Sequence, residues 1–219
     1  MIELSGVIIT FNEERNIGRC IDSLKQVADD IVVVDSFSTD KTEEICKEKR
    51  GRFIRHKFEG HVQQKNYAIK HAEYPYVLSL DADEFLSKEL IKSILRVKES
   101  WKYDGYYMNR LTYYCGKPIR HCGWYPDKKL RLWDRRNGRW AGVNPHDRFE
   151  MEPECKIGFL KGDILHYTYY TISEHVEQAN RFSDISAKQL FEIGRHSSWI
   201  TVLFRPFYSF LILPLISGG

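Results

Sequence analysis

Two hydrophobic periods alternate through the first hundred residues, and this alternation restricts the fold more than any other feature of the sequence. Val7-Ile8-Ile9-Thr10-Phe11 is a β-branched run, and Ile17, Cys20, Ile21 and Leu24 follow at helical spacing. Ile31-Val32-Val33-Val34 predicts a second buried strand, and Thr42 to Lys49 a second helix. Arg52 to His56 reads as a weaker strand, His61 to His71 as a helix, and Tyr76 to Leu80 as a fourth strand. Ser87 to Trp101 closes the series as a helix burying Leu90, Ile91, Ile94 and Leu95. Continuous apolar strands between helices imply an α/β fold, with a mostly parallel central sheet covered by helices on both faces.

From about residue 102 the pattern changes. Gly105 to Tyr114 and Lys129 to Trp133 predict strands, with turns at Cys115-Gly116-Lys117-Pro118 and Arg136-Asn137-Gly138. Asp163 to His166 predicts another strand, and Thr171-Ile172-Ser173-Glu174 is a capping box opening a helix to about Ile193. With no Pro/Gly/Ser linker and no repeat, residues 1–194 read as one domain. Hydrophobic residues at 42% and charged residues at 29% exclude a disordered chain, and a net charge of +3 is too small for a dedicated nucleic-acid binder. Cys20, Cys46, Cys115, Cys122 and Cys155 form neither a disulfide framework nor a zinc pattern, and Met1-Ile2-Glu3-Leu4 lacks the basic start of a signal peptide. Both features point to the cytoplasm.

In such sheets ligands bind beyond the carboxyl ends of the strands. Here the exits read Thr10-Phe11-Asn12-Glu13-Glu14, Asp35-Ser36-Phe37-Ser38-Thr39-Asp40 and Asp81-Ala82-Asp83-Glu84, three acid-rich segments meeting on one edge. Asp35 and Asp40 also suit ordinary turn or N-cap positions. Asp81 and Asp83 are harder to place structurally, because in extended backbone they face the same way and repel unless a cation or donors hold them. A Mg²⁺ or Mn²⁺ ion bridging carboxylate and diphosphate is the economical reading.

Taken in order, these segments resemble the successive motifs of glycosyltransferase family 2, the inverting GT-A enzymes. Lys65-Asn66 falls where that family often has a basic residue followed by Asn. Gly123-Trp124-Tyr125-Pro126-Asp127 and Leu130-Arg131-Leu132-Trp133 resemble its lipopolysaccharide-core β-glucosyltransferase branch. The resemblance implies a GT-A, Rossmann-like fold, with residues 1–101 as the nucleotide-sugar half, 102–170 as the acceptor half and 171–194 as a helix. It also implies that Thr10, Phe11, Glu13, Asp35, Ser38, Lys65, Asp81 and Asp83 bind the donor. Phe11 and Asp35 would lie at the nucleobase, Glu13 would help fix the nucleotide, Lys65 would lie near the diphosphate and Asp81 near the ribose, and Asp83 would hold the metal. Phe37 departs from the pattern, standing where many members have Gly.

Inversion needs a carboxylate to deprotonate the acceptor hydroxyl. Within Asn144-Pro145-His146-Asp147-Arg148 the first candidate is Asp147, with Asp127 and Glu150 as rivals and pairing with Arg148 or Arg131 as its structural alternative. His166 is a candidate further metal ligand or a structural histidine. Residues 120–139 carry seven Lys or Arg against Asp127 and Asp134, either as a solvated face or as a groove for an anionic sugar or lipid headgroup. Trp124, Tyr125 and Trp133 are interleaved there, and Trp124, Tyr125 and Arg131 are the acceptor-binding candidates.

Residues 195–219 are set apart as an apolar tail. Trp199 to Ile216 is apolar but broken by Arg205, Pro206 and Pro214, which disfavours a single span. With Arg195 and His196 nearby it suits the membrane interface, or alternatively folds onto the domain. The chain stops abruptly at Gly218-Gly219, as a piece of a longer protein would. The expected activity is transfer of a hexose from a UDP-sugar to a lipid-linked or lipopolysaccharide-type acceptor, peripherally at the inner face of the membrane, without nucleic acid. The alternatives are a sugar-nucleotidyltransferase and an inactive saccharide- or membrane-binding module. Asn12-Glu13-Glu14-Arg15-Asn16 is not the Gly-rich phosphate loop a nucleotidyltransferase would carry.

Overall fold

The computed structural model describes residues 1–143, 146–192, 194–195 and 197–211. Strands β1 (Leu4–Thr10), β2 (Asp30–Asp35), β3 (Arg52–Arg55) and β4 (Tyr76–Asp81) lie parallel in the order β3-β2-β1-β4. Helices α1 (Ile17–Leu24), α2 (Thr42–Glu48) and α3 (His61–Lys70) make the crossovers. Alternate residues of the strands feed opposite layers, as a period of two requires. Leu4, Ile8 and Val33 pack with Ile17, Ile21 and Leu24 of α1, while Val7, Val32 and Val34 pack with Ala68 and Ile69 of α3.

The sheet continues without a break into the second half, where direction becomes mixed. Strand β5 (Glu84–Leu86) follows β4 directly, and α4 (Lys88–Glu99) is capped by Ser87, whose Oγ accepts from the Leu90 amide at 3.2 Å. Leu90, Ile91 and Ile94 are buried as expected, but Leu95 faces outward, because α4 has one buried stripe and Leu95 falls beside it. Strand β6 (Gly105–Tyr114) carries the two-residue β7 (Lys117–Pro118) on its far end. Strand β8 (Asp127–Asp134) runs antiparallel between β4 and β6, and β11 (Ile157–Tyr169) is parallel to β6 and antiparallel to β5.

Strand β8 extends past the predicted Lys129–Trp133, and β11 extends well past Asp163–His166. β11 survives beyond its apolar segment because it bends at Gly162, whose φ is +97°. A Cβ there would stand 2.3 Å from the Leu90 nitrogen, so glycine is needed for β11 to pass the start of α4.

Strands β9 (Gly138–Val143) and β10 (His146–Met151) form a separate antiparallel hairpin. It docks through Trp140 and Phe149 on Trp133, with the Phe149 and Trp133 rings stacked at 3.8 Å. Helix α5 (Ile172–Glu192) opens on the expected capping box: the Glu174 amide donates to Thr171 Oγ1 and the Thr171 amide to Glu174 Oε2, both at 3.2 Å. Ile193, the expected helix end, lies outside the described residues. Helix α6 (Trp199–Leu211) contains Pro206 and leaves its apolar side chains in solvent, Trp199 at 83% and Phe210 at 81% exposure. Among the described residues no helix is long and apolar enough to cross a membrane. His196 and residues 212–219 of the tail lie outside the described residues.

Candidate active site

Register brings the acid-rich exits together. Thr10 stands opposite Asp35, and Ile9 opposite Asp81, so the carboxyl ends of β1, β2 and β4 form one edge. The loops beyond β1 and β2 hold each other. The Asn12 amide donates to Ser38 Oγ and the Thr39 amide to Asn12 Oδ1, each at 2.8 Å, while the Glu13 amide donates to Thr42 Oγ1 at 2.8 Å. Asp35 is buried and accepts from both the amide and the hydroxyl of Ser38, so its carboxylate is engaged by its own loop. Phe37 has φ +64°, the left-handed region that glycine adopts without cost, so the loop keeps that geometry with a phenylalanine in place. Phe11 and Phe37 are both exposed at 53%, leaving open aromatic faces beside this loop pair. The Thr10 hydroxyl is buried without a hydrogen-bond partner among the described residues.

A charged network runs inward from Asp81. Its Oδ1 lies 3.0 Å from Lys65 Nζ, and its Oδ2 2.9 Å from Arg131 Nη2. Burial alone would raise the Asp81 pKa, but the two cations outweigh it and hold the carboxyl well below its ordinary range. Lys65, on α3, reaches Asp147 Oδ2 at 2.8 Å and lies 4.4 Å from the centre of the Trp140 ring. Arg131 also reaches Glu84 Oε1 at 3.0 Å, and the Asp81 amide donates to Glu84 Oε2 at 2.9 Å.

Asp83 points the other way, to β11. His166 Nε2 is 3.1 Å from Asp83 Oδ2, and the Tyr167 amide donates to the Asp83 carbonyl at 3.0 Å. Burial opposes charge on both side chains, yet each favours the charged form of the other, so the Asp83 pKa is lowered and the His166 pKa raised. Asp83 and Glu13 line an open cavity of about 460 Å³, together with Tyr167, Thr168 and Tyr170 of the β11 end and Glu174, Glu177 and Arg181 of α5. Burial, and then the Asp83 charge, push the Glu13 carboxyl up to about 7, against a bond from Asn16 Nδ2 at 2.8 Å. The Asp83 carboxylate lines this cavity and the His166 imidazole lies against it, two groups of the kind that could hold a hard divalent ion as part of a ligand set. Among the described residues no group of three His, Cys, Asp or Glu side chains gathers around one point.

Several expectations need correction. Arg131 is buried on its two acids and does not face an acceptor groove. Trp133 is fully buried against Phe149, because β8 is an interior strand covered on both faces. The basic stretch 120–139 is largely spent locally: Arg135 donates to the Ile69 and Ala72 carbonyls, and Arg136 pairs with Asp134 at 2.5 Å. Trp124 remains exposed, while the Tyr125 hydroxyl donates to Asp163 Oδ1 at 3.1 Å. Lys65 is committed to Asp81 and Asp147. Asp147 therefore pairs with neither Arg131 nor Arg148, and Arg148 instead holds Glu150 at 2.7 Å. Asp127 is held by Arg110 at 2.8 Å and Lys129 at 3.0 Å, and Arg110 also reaches Glu84 Oε1 at 3.4 Å. Asn144 and Pro145 lie outside the described residues.

Sequence reasoning missed Glu84, Trp140 and the α5 wall of the cavity. It also missed Arg15, whose guanidinium lies 3.4 Å from the centre of the Tyr170 ring. One signal was available: an arginine inside the apolar run Leu130-Arg131-Leu132-Trp133 demands a buried carboxylate partner.

Comparison with known proteins gives the family and the fold. The model of the family described as "Glycosyl transferase family 2" matches residues 5–150. The lipopolysaccharide core biosynthesis glycosyltransferase LpsC of Rhizobium meliloti is 30% identical over 232 residues, covering 99% of this chain and 82% of its own. An uncharacterized glycosyltransferase of Rickettsia typhi is 33% identical over 208 residues, covering 90% of this chain and 71% of its own. Among solved structures, S. aureus TarS 1–349 in complex with UDP-GlcNAc shares the fold, with a TM-score of 0.56 and 16% identity over 96% of this chain and 76% of that one.

Proposed function

The chain belongs to glycosyl transferase family 2, and from that premise we propose that it transfers a hexose, with inversion, from a UDP-sugar to a membrane-associated saccharide of the lipopolysaccharide-core or glycolipid class. One observation carries the reading: Asp81 and Asp83 leave one strand end in opposite directions. Asp81 turns to a lysine shared with Asp147, and Asp83 to His166 at an open cavity. The LpsC relative supports the acceptor class.

In this reading Phe11, Asp35 and Ser38 hold the nucleobase side of the donor, with Thr10 and Glu13 beside it. Asp83 and His166 would hold Mg²⁺ or Mn²⁺, which when bound would neutralise charge on the diphosphate. Asp147, aimed by Lys65, takes the proton of the acceptor hydroxyl as its oxygen bonds to the anomeric carbon. The bond from that carbon to the diphosphate oxygen breaks, and UDP leaves with the electron pair. Trp124 contacts the acceptor. Residues 1–194 act as one domain, and α6 rests peripherally on the cytoplasmic face of the membrane. A sugar-nucleotidyltransferase reading loses its footing with the family assignment.

The test is UDP release from a panel of UDP-hexoses with isolated lipopolysaccharide core oligosaccharide, alongside UDP titration by calorimetry. Asp83→Ala should lose metal-assisted UDP affinity and turnover together. Asp147→Asn should keep UDP affinity and lose turnover by roughly 10²–10⁴-fold, the usual cost of removing a general base. UDP affinity unchanged by a chelator overturns the metal. Full activity of Asp147→Asn, with loss in Asp127→Asn or Glu150→Gln, moves the base.

A further inference from the structure

The hairpin that carries Asp147 has two strands, and two strands alone are marginally stable, so something must fix it against the body of the protein. Ring packing of Trp140 and Phe149 on Trp133 gives adhesion, but apolar contact is non-directional and sets no register. Asn66 supplies direction. Its Nδ2 donates to the Trp140 carbonyl at 2.9 Å, and the Trp140 amide donates to its Oδ1 at 3.0 Å. A carboxamide offers one acceptor and a donor pair, so this side chain pairs with β9 as a neighbouring strand would. Both peptide groups of one residue are thereby tied to α3, 74 positions earlier in the chain.

Asp147 stands opposite Gly142, two residues along β9 from Trp140, or about 7 Å at the rise of a strand. The residue before Asn66 is Lys65, which grips the Asp147 carboxylate itself at 2.8 Å. Consecutive residues of α3 thus hold the backbone of the hairpin and the carboxylate it presents. We propose that Asn66 is a positioning residue for the transfer reaction: its carboxamide fixes the hairpin on α3 and so sets where the Asp147 carboxylate stands relative to the Asp81 and Asp83 end of β4. A slip of one residue would turn Asp147 to the opposite face, and a shift of about 1 Å at a reacting group costs on the order of 100-fold in rate. The inference rests on the assignment of Asp147 as the base.

The experiment is a double-mutant cycle on the full chain, read as kcat for UDP release from UDP-glucose with lipopolysaccharide core oligosaccharide, with UDP affinity measured by calorimetry and folding by thermal melt. Asn66→Ala should lower kcat roughly 10- to 100-fold and leave UDP affinity within about twofold. In an Asp147→Asn background the same change should cost less than about twofold, since a misplaced base and an absent one are equivalent. Asn66→Gln, which keeps both amide groups on a longer stem, should recover part of the loss. If Asn66→Ala does not fold, Asn66→Gln and Asn66→Ser are judged by the same cycle. An equal penalty in both backgrounds refutes the proposal, as does a lowered melting temperature with unchanged kcat. Full turnover of Asp147→Asn alone instead refutes the base assignment, whatever Asn66 does.

Discussion

Lys65→Met isolates the electrostatic centre of the site. Methionine retains most of the aliphatic stem that packs near Trp140, so the change removes chiefly the ammonium between Asp81 and Asp147. Breaking a buried ion pair by deleting one partner costs about 3–5 kcal/mol, because an uncompensated charge stays behind. Here the lower end applies: Asp81 keeps Arg131 at 2.9 Å, so Asp147 is the carboxylate left without its cation. A loss of about 3 kcal/mol corresponds to a drop in Tm of roughly 6–12 °C for a chain of this size. Urea unfolding followed by tryptophan fluorescence measures it, with Trp140 as a reporter beside the substituted group. Adding Asp147→Asn removes the orphaned charge, and the double variant should recover about 1–3 kcal/mol relative to the sum of the single changes. A Lys65→Met variant within about 0.5 kcal/mol of the parent would place the pair among solvent-screened surface bridges. Strict additivity with Asp147→Asn would refute the shared-lysine argument outright.

Three further outcomes follow from other parts of the molecule. Gly162→Ala puts a methyl group against the backbone of Leu90 at φ +97°, and should cost at least about 2 kcal/mol; an unchanged melting temperature would show that β11 passes α4 with room to spare. Asp30 accepts from Ser5, Arg52 and the Glu73 amide, and although burial raises its pKa, the Arg52 bond leads the interactions that bring it below the ordinary value. Its stabilisation is therefore present above the unfolded carboxyl pKa of about 3.9 and lost as pH falls through the lower folded value, so Asp30→Asn should flatten the acid limb of a stability profile below about pH 4, and a parallel limb would contradict this. Vesicle co-sedimentation should be strongest with anionic lipid, weaken with salt, and disappear in a chain ending at Gly194; equal sedimentation of the shortened chain removes α6 as the anchor.

The parts of the fold legible in the sequence are those built from local periodicity. Strands β1, β2 and β4 are rich in Val, Ile and Leu and largely buried, and α1 carries an apolar stripe, so each of these elements announces itself within a dozen residues. Parallel register then places Thr10, Asp35 and Asp81 on one edge, as the strand exits read from the sequence implied. Three-residue β5 offers no period to read, and the β9–β10 hairpin is fixed in part by Asn66, 74 positions before the residue it holds. Charge misled for a related reason. The cations of 120–139 look like a surface when counted together, but Arg131, Arg135 and Arg136 each find a partner as soon as the chain folds.

The site itself separates along the same line. Which acids sit at the edge follows from short-range pattern, whereas what each acid does depends on contacts 82 or 83 positions apart in the chain: Lys65 with Asp147 and Asp83 with His166. Asp81 and Asp83 are two residues apart, and extended backbone would have aimed them the same way. Strand β4 ends at Asp81, so the rule stops applying there and Asp83 turns toward β11. That turn divides the edge into two electrostatic environments. On one side Lys65 and Arg131 already compensate Asp81, and the same lysine ties it to the hairpin bearing Asp147. On the other, Asp83 faces a cavity with a single histidine as its ion-pair partner among the described residues, beside a Glu13 whose carboxyl burial and the Asp83 charge push up to about 7. An excess of carboxylate over cation at an open wall is the side that has room for an added positive charge, and that asymmetry supports the proposed metal-binding role at Asp83 rather than at Asp81.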